Sequence, residues 1–80
     1  LAAEQGDSNA QNNLGVMYAN GQGVPEDFVY AHMWFNISAL NGNENGGKSR
    51  DIVEKHMISA QITIAEELAR KCVRNKYKDC

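Results

Sequence analysis

The sequence is sparing with proline, cysteine and positive charge. It has one proline, Pro25, two cysteines, Cys72 and Cys80, and no lysine or arginine before Lys48. One proline leaves helix interiors almost everywhere unbroken, because proline removes an amide donor and clashes with the preceding turn. The two cysteines form no Cys-x-x-Cys and the two histidines, His32 and His56, no His-x-x-x-His, so no recognisable metal-ligand spacing is present. No apolar run approaches the roughly 20 residues of a membrane-spanning helix, and no signal-peptide pattern stands within these residues. No serine or cysteine sits in a nucleophile motif with a histidine, and the carboxylates are dispersed. Gly21-x-Gly23 follows a helical pattern and not a strand, so it is no phosphate loop. These absences argue against an enzyme and against a cofactor or metal.

Charge is unevenly spread. Residues 1–47 hold five acids (Glu4, Asp7, Glu26, Asp27, Glu44) and no base, for −5; residues 48–80 hold eight bases against five acids, for +3, and the two sum to the net −2. Arg70, Lys71, Arg74, Lys76 and Lys78 cluster near the end. Cations there suit the negative end of a helix dipole, and with Tyr77 as the sole interleaved aromatic the cluster does not read as a nucleic-acid surface. The opening "LAAEQGD", without Met, reads as the tail of a helix, so the expectation is the C-terminal piece of a longer protein.

A shift of 36 residues exposes an internal repeat: Ala3 falls on Ala39, Gly6 on Gly42, Asn9 on Asn45 and Ala10 on Gly46, after which Leu14, Gly15 and Tyr18 fall on Arg50, Asp51 and Glu54. One full repeat is thus followed by a degenerate one, as a terminal repeat with a wet outer face should be. Four helices are expected. The first spans 8–20, with Ser8 or Asp7 as cap and a stripe of Ala10, Leu14, Met17 and Tyr18. Asn20-Gly21 stops it, glycine entering the left-handed cap cheaply. Gly23 permits a tight turn, Val24 folds back over the hairpin core, and Pro25 opens the next segment, with Glu26 and Asp27 at its N-terminus. The second helix spans 27–41, lined by Phe28, Ala31, Trp34, Phe35 and Leu40, with Ala39 where close approach is needed; Asn41-Gly42 ends it. The third, 44–56, is poor: Gly46 and Gly47 open it, and only Ile52 and Val53 are apolar in its middle. The fourth, 59–75, repeats Ile62, Ala65, Leu68, Ala69 and Cys72 at helical spacing, with Ser59 as candidate cap. Asn36-Ile37-Ser38 matches a glycosylation signal but lies inside a packed helix and is discounted.

Ala10, Leu14-Gly15, Tyr18, Gly21-x-Gly23-Val24, Asp27, Ala31, Trp34, Ala39 and Gly42 together resemble the Sel-one-like repeat, a helical-hairpin family related to tetratricopeptide repeats. Residues 43–80, with "RDIVEKHMISAQITIAEELARKC", resemble the segment that closes bacterial members after their last repeat, although Ile58-Ser59 stands where those often carry Thr-Pro. The resemblance implies an all-α, right-handed αα-hairpin solenoid of about four helices and a scaffold for protein–protein contact. Residues 1–5 would be the tail of a preceding repeat, 6–42 a complete repeat, and 43–80 a degenerate capping hairpin and tail. Gly15 would let paired helices approach, and Tyr18 and Trp34 would fill the space between hairpins. Secreted bacterial relatives use disulfides to pin helices. Cys72 and Cys80 are therefore a candidate bridge, which would favour a periplasmic or secreted location; a buried Cys72 and a free Cys80 are the alternative.

Solenoids of helical hairpins bind on the concave face, lined by the first helix of each pair. On helix 8–20 the residues turned away from Leu14 and Tyr18 are Asn9, Asn12, Asn13, Val16 and Asn20, an uncharged stripe whose carboxamides suit a peptide backbone. None is Lys, so capture of a terminal carboxylate is not expected. The expected partner is another protein or peptide, without nucleic acid or membrane insertion, and the chain is expected to self-associate through the outer side of helix 8–20. The other readings are a purely structural cap and an envelope-associated ligand-binding or enzymatic protein.

Overall fold

Three of the four helices start on an acidic or amide side chain that takes up a free backbone amide, which is why they start where they do. A computed structural model describes residues 2–80; Leu1, first residue of the expected preceding tail, lies outside the described residues. After a short 3-10 turn at Ala3–Gln5 come α1 (Ser8–Asn20), α2 (Phe28–Leu40), α3 (Glu44–Glu54) and α4 (Ser59–Arg74). Asp7 caps α1, its carboxylate accepting from the Asn9 and Ala10 amides at 2.9 and 3.1 Å. Asp27 caps α2 through the Tyr30 amide, and Asn43 caps α3 through the Gly46 amide. α4 departs from expectation. Its cap is Ile58, with Ser59 the first helical residue, and because Ile58 has no accepting side chain the Gln61 carboxamide instead accepts the Ile58 amide at 3.0 Å. α2 likewise begins one residue later than expected, since Asp27 serves as its cap, and Pro25 lies in the connector.

The 36-residue repeat is also a repeat of geometry. Gly6 and Gly42 both hold left-handed φ, 88° and 94°. The Gly6 amide returns to the Ala3 carbonyl and the Gly42 amide to Ala39; the Asp7 amide returns to Ala2 and the Asn43 amide to Ser38. Each bond is the other displaced by 36 positions, and each turn delivers the chain onto the next capping side chain. Between α1 and α2, Gly21 (φ 66°) ends the helix and Gly23 (φ 77°) makes the turn. The Asp27 amide then bonds the Tyr18 carbonyl at 2.9 Å, tying the start of α2 to the end of α1.

α2 is the axis of the molecule. Most of its positions are apolar and little of it faces water: Ala31 through Phe35, Ile37 and Ser38 are buried. α1 lies antiparallel on one side. A Cβ on Gly15 would come within 2.6 Å of the Phe35 ring, so only glycine lets the two helices meet at this distance. Tyr18 packs on Tyr30 at 5.4 Å between centroids, and the Ser38 hydroxyl donates to the Ser8 carbonyl. α3 lies antiparallel on a second side, in a ladder of Ala39 beside Gly47, Asn36 bonded to Arg50, His32 to Glu54 and Phe28 stacked on His56. Gly46 is needed here too: a Cβ would sit 2.7 Å from the Ser38 hydroxyl and 2.9 Å from the Phe35 carbonyl. α4 covers the remaining side, where Ala69 and Cys72 share a core cluster with Met33, Trp34, Ile37 and Ala3.

α3 and α4 therefore each pack on α2 and not chiefly on each other. Both helices of the segment after the repeat pack on α2. Leu40, expected in the lining of α2, is 66% exposed. It stands five residues past Phe35, about 140° round the helix at 3.6 residues per turn, and so faces away from the packed sides. Val24, expected over the hairpin core, is half-buried.

Candidate functional site

Antiparallel packing of α1 and α3 on one helix leaves those two side by side, and a cleft of about 350 Å³ opens between them. Phe35 of α2 lies at its lining; Val16, Ala19 and Asn20 line it from α1, Ser49, Ile52 and Val53 from α3, and the stacked pair Phe28 and His56 from one end. The walls are mainly apolar, with carboxamide, hydroxyl and imidazole groups around them.

The structure sorts the expected stripe of α1. Val16 and Asn20 line the cleft, and Asn13 is exposed nearby. Asn12 is half-buried, its Oδ1 shielded from solvent without a hydrogen-bond partner among the described residues. Asn9 is committed to the fold: its Oδ1 accepts from the Asn43 side chain at 2.9 Å, joining the start of α1 to the cap of α3.

The two walls are related by the repeat. Asn9, Asn13, Val16 and Asn20 correspond to Asn45, Ser49, Ile52 and His56 at the 36-residue shift. At these four positions polar falls on polar and aliphatic on aliphatic, whereas Ala19 of the same wall falls on Lys55. The positions α1 turns to α2 show no such likeness: Gln11, Leu14, Gly15 and Tyr18 correspond to Gly47, Arg50, Asp51 and Glu54. Ile52 is 60% exposed although aliphatic, and it borders the cleft.

Two polar arrangements inside the fold were not visible in the sequence. Gln11 is fully buried; its Nε2 donates to the Ala3 carbonyl at 3.0 Å and its Oε1 accepts from Asn41 at 2.9 Å. Asn41 also meets the Tyr77 hydroxyl at 3.2 Å. His32 is fully buried with Nε2 on the Glu54 carboxylate at 2.7 Å. A glutamine or histidine on a helix carries no local mark of such burial. The one hint for His32 is its place in the mostly apolar run of α2. Cys72 and Cys80 are bridged, with Cα atoms 5.5 Å apart. Among the described residues no helix is long and apolar enough to cross a membrane.

Residues 8–43 match the model of the Sel1 repeat. The chain is similar to a crystal structure of c5321, a protective antigen present in uropathogenic Escherichia coli strains displaying an SLR fold. The identity is 37% and the TM-score 0.88, over 95% of this chain and 17% of that one. The chain thus spans about a sixth of the length of that protein. No curated protein matches it. Sel1 repeats mediate protein–protein interaction. The Sel1 repeat match at 8–43, the four helices of an all-α repeat fold among the described residues and this structural match together support a Sel1-like repeat helical protein.

Proposed function

We propose that the chain is a non-catalytic protein-interaction module that receives a peptide segment of another protein on the joint face of α1 and α3. One observation carries the reading. Three positions on that face keep their character across the repeat, Val16 with Ile52, Asn13 with Ser49 and Asn20 with His56, although Ala19 falls on Lys55; the core-facing Leu14, Gly15 and Tyr18 fall on charged residues. Packing explains neither the exposure of Ile52 nor its likeness to Val16. An apolar side chain of the partner enters the cleft, and the flanking carboxamides of Asn13 and Asn20 pair with its backbone.

Capture of protein partners from the source cells, by crosslinking and mass spectrometry, tests this. Val16→Lys and Ile52→Lys should each lose the captured partner while leaving helix content and melting temperature near those of the parent. Capture that survives both substitutions refutes the reading. The capping role of residues 43–80 belongs to the same proposal: α3 offers charged groups where a further second helix would need an apolar face, which closes the array. A cysteine bridge between α4 and the tail after it fits an oxidising compartment, the periplasm or the cell exterior.

A further inference from the structure

The tail after α4 holds an unusual backbone. Lys76, Tyr77 and Asp79, none of them glycine, have φ of 56°, 65° and 60°. Left-handed φ disfavours any residue with a Cβ and persists only where the surroundings impose it. Two constraints impose it here. The Cys72–Cys80 bridge closes the tail onto α4, and the Tyr77 amide donates to the Cys72 carbonyl at 2.8 Å. The conformation carries Tyr77 to a particular place. Its ring lies over Gly6, where a Cβ would stand 3.5 Å from Cε2, and its hydroxyl meets the Asn41 side chain. Asn41 holds Gln11, and Gln11 holds the Ala3 carbonyl. The tail thereby reaches the junction of the entering turn, α1 and the end of α2.

We propose that residues 75–80 are a redox-operated latch: the Cys72–Cys80 bridge holds Tyr77 in the Gln11–Asn41 junction, and reduction releases it. The reductant is a dithiol. One of its thiolates attacks the Cys80 sulfur, the more exposed of the two, and forms a mixed disulfide while Cys72 leaves as thiolate and takes up a proton. The second thiol of the reductant then displaces Cys80, which also takes up a proton, and the reductant departs as a disulfide. Two electrons and two protons pass to the protein. With the closure gone, Lys76, Tyr77 and Asp79 relax to negative φ, and the ring swings off Gly6. The entering turn then keeps the Gln11 bond and the core packing of Ala3 but loses its contact with Tyr77.

The test compares the oxidised chain with the chain in dithiothreitol by NMR. Nuclear Overhauser cross-peaks between the Tyr77 ring and Gly6 should vanish on reduction. Exchange of the Tyr77 amide should accelerate at least about tenfold more than that of Ile37 in α2, which separates local release from a general loss of stability. Cys80→Ser should show the reduced pattern without dithiothreitol and respond to it no further. Tyr77→Phe with the bridge intact should keep the ring contact with Gly6 yet speed exchange of the Gln11 and Asn41 carboxamide protons. Persistence of the Tyr77–Gly6 cross-peaks after reduction, or equal acceleration at Tyr77 and Ile37, overturns the latch. Carboxamide protons unchanged in Tyr77→Phe would overturn the part assigned to the phenol.

Discussion

Helices α1 and α3 start alike and then part. Each follows a left-handed glycine, Gly6 or Gly42, and each is capped by an Asx side chain one position later, Asp7 or Asn43. From there α1 presents Gln11, Leu14, Gly15 and Tyr18 to α2, whereas α3 carries Gly47, Arg50, Asp51 and Glu54 at the same places. Arg50 and Glu54 turn back to polar partners on α2, Asn36 and His32, and Asp51 lies mostly in water. Helix starts depend on a few adjacent residues and survive divergence of the rest. A packing face depends on what lies opposite, and α4 does not lie opposite α3 as α2 lies opposite α1. It is docked on α2 instead, so the charged side chains of α3 meet polar groups of α2 or water and no apolar face of α4.

The sharpest way to break this comparison is to treat Gly15 and its counterpart Asp51 alike. Gly15→Val drives a side chain into the Phe35 ring and should cost about 3 kcal/mol, at the top of the overpacking range. Asp51→Val should change stability by less than about 0.5 kcal/mol, as solvent-facing substitutions do. Urea unfolding midpoints decide it, and similar losses at the two sites would mean that α3 has a packed partner after all. A smaller effect tests the polar side of α3. Glu54→Ala strands the fully buried His32 Nε2, for a loss of about 1–3 kcal/mol; the double variant Glu54→Ala with His32→Leu should recover part of it. The smallest effects probe what the two helices share. Asp7→Ala and Asn43→Ala should each cost about 1 kcal/mol, the worth of an N-cap. A cost at Asp7 with none at Asn43 would show that the shared start has lost its meaning in α3.

Residues whose role is local could be read from the sequence. Gly21, Gly23 and Gly42 stand where the chain turns through left-handed φ, and Asp27 was placed at the start of a helix, one residue inside the boundary it in fact caps. Gly15 was legible as a point of close approach; Gly46 was read only as part of a weak start to α3, and its contact with Ser38 was not foreseen. What the sequence withheld depends on distant parts of the chain. The amphipathic stripe of α4 showed that it docks, but nothing in it shows that it docks on α2; the clue lay in α2 itself, where Met33 and Ile37 are as apolar as the side facing α1. Gln11 carried no mark of its burial because its two partners, Ala3 and Asn41, lie 8 and 30 positions away in sequence. Of the expected stripe, Val16 and Asn20 line the cleft, whereas Asn9 is bonded to the cap of α3, and the other wall, with Ile52 and His56, required the helices to be brought together.

The most direct measurement places a photo-crosslinking amino acid at position 52 and, separately, at position 51. These neighbours point to different sides of α3: one borders the cleft beside Val16, the other faces solvent on the flank away from α1. Crosslinking to a partner peptide from position 52 and not from position 51, with competition by the uncrosslinked peptide, is the result predicted for binding on the joint face of α1 and α3. Equal adducts from both positions, or adducts from position 51 alone, would contradict it.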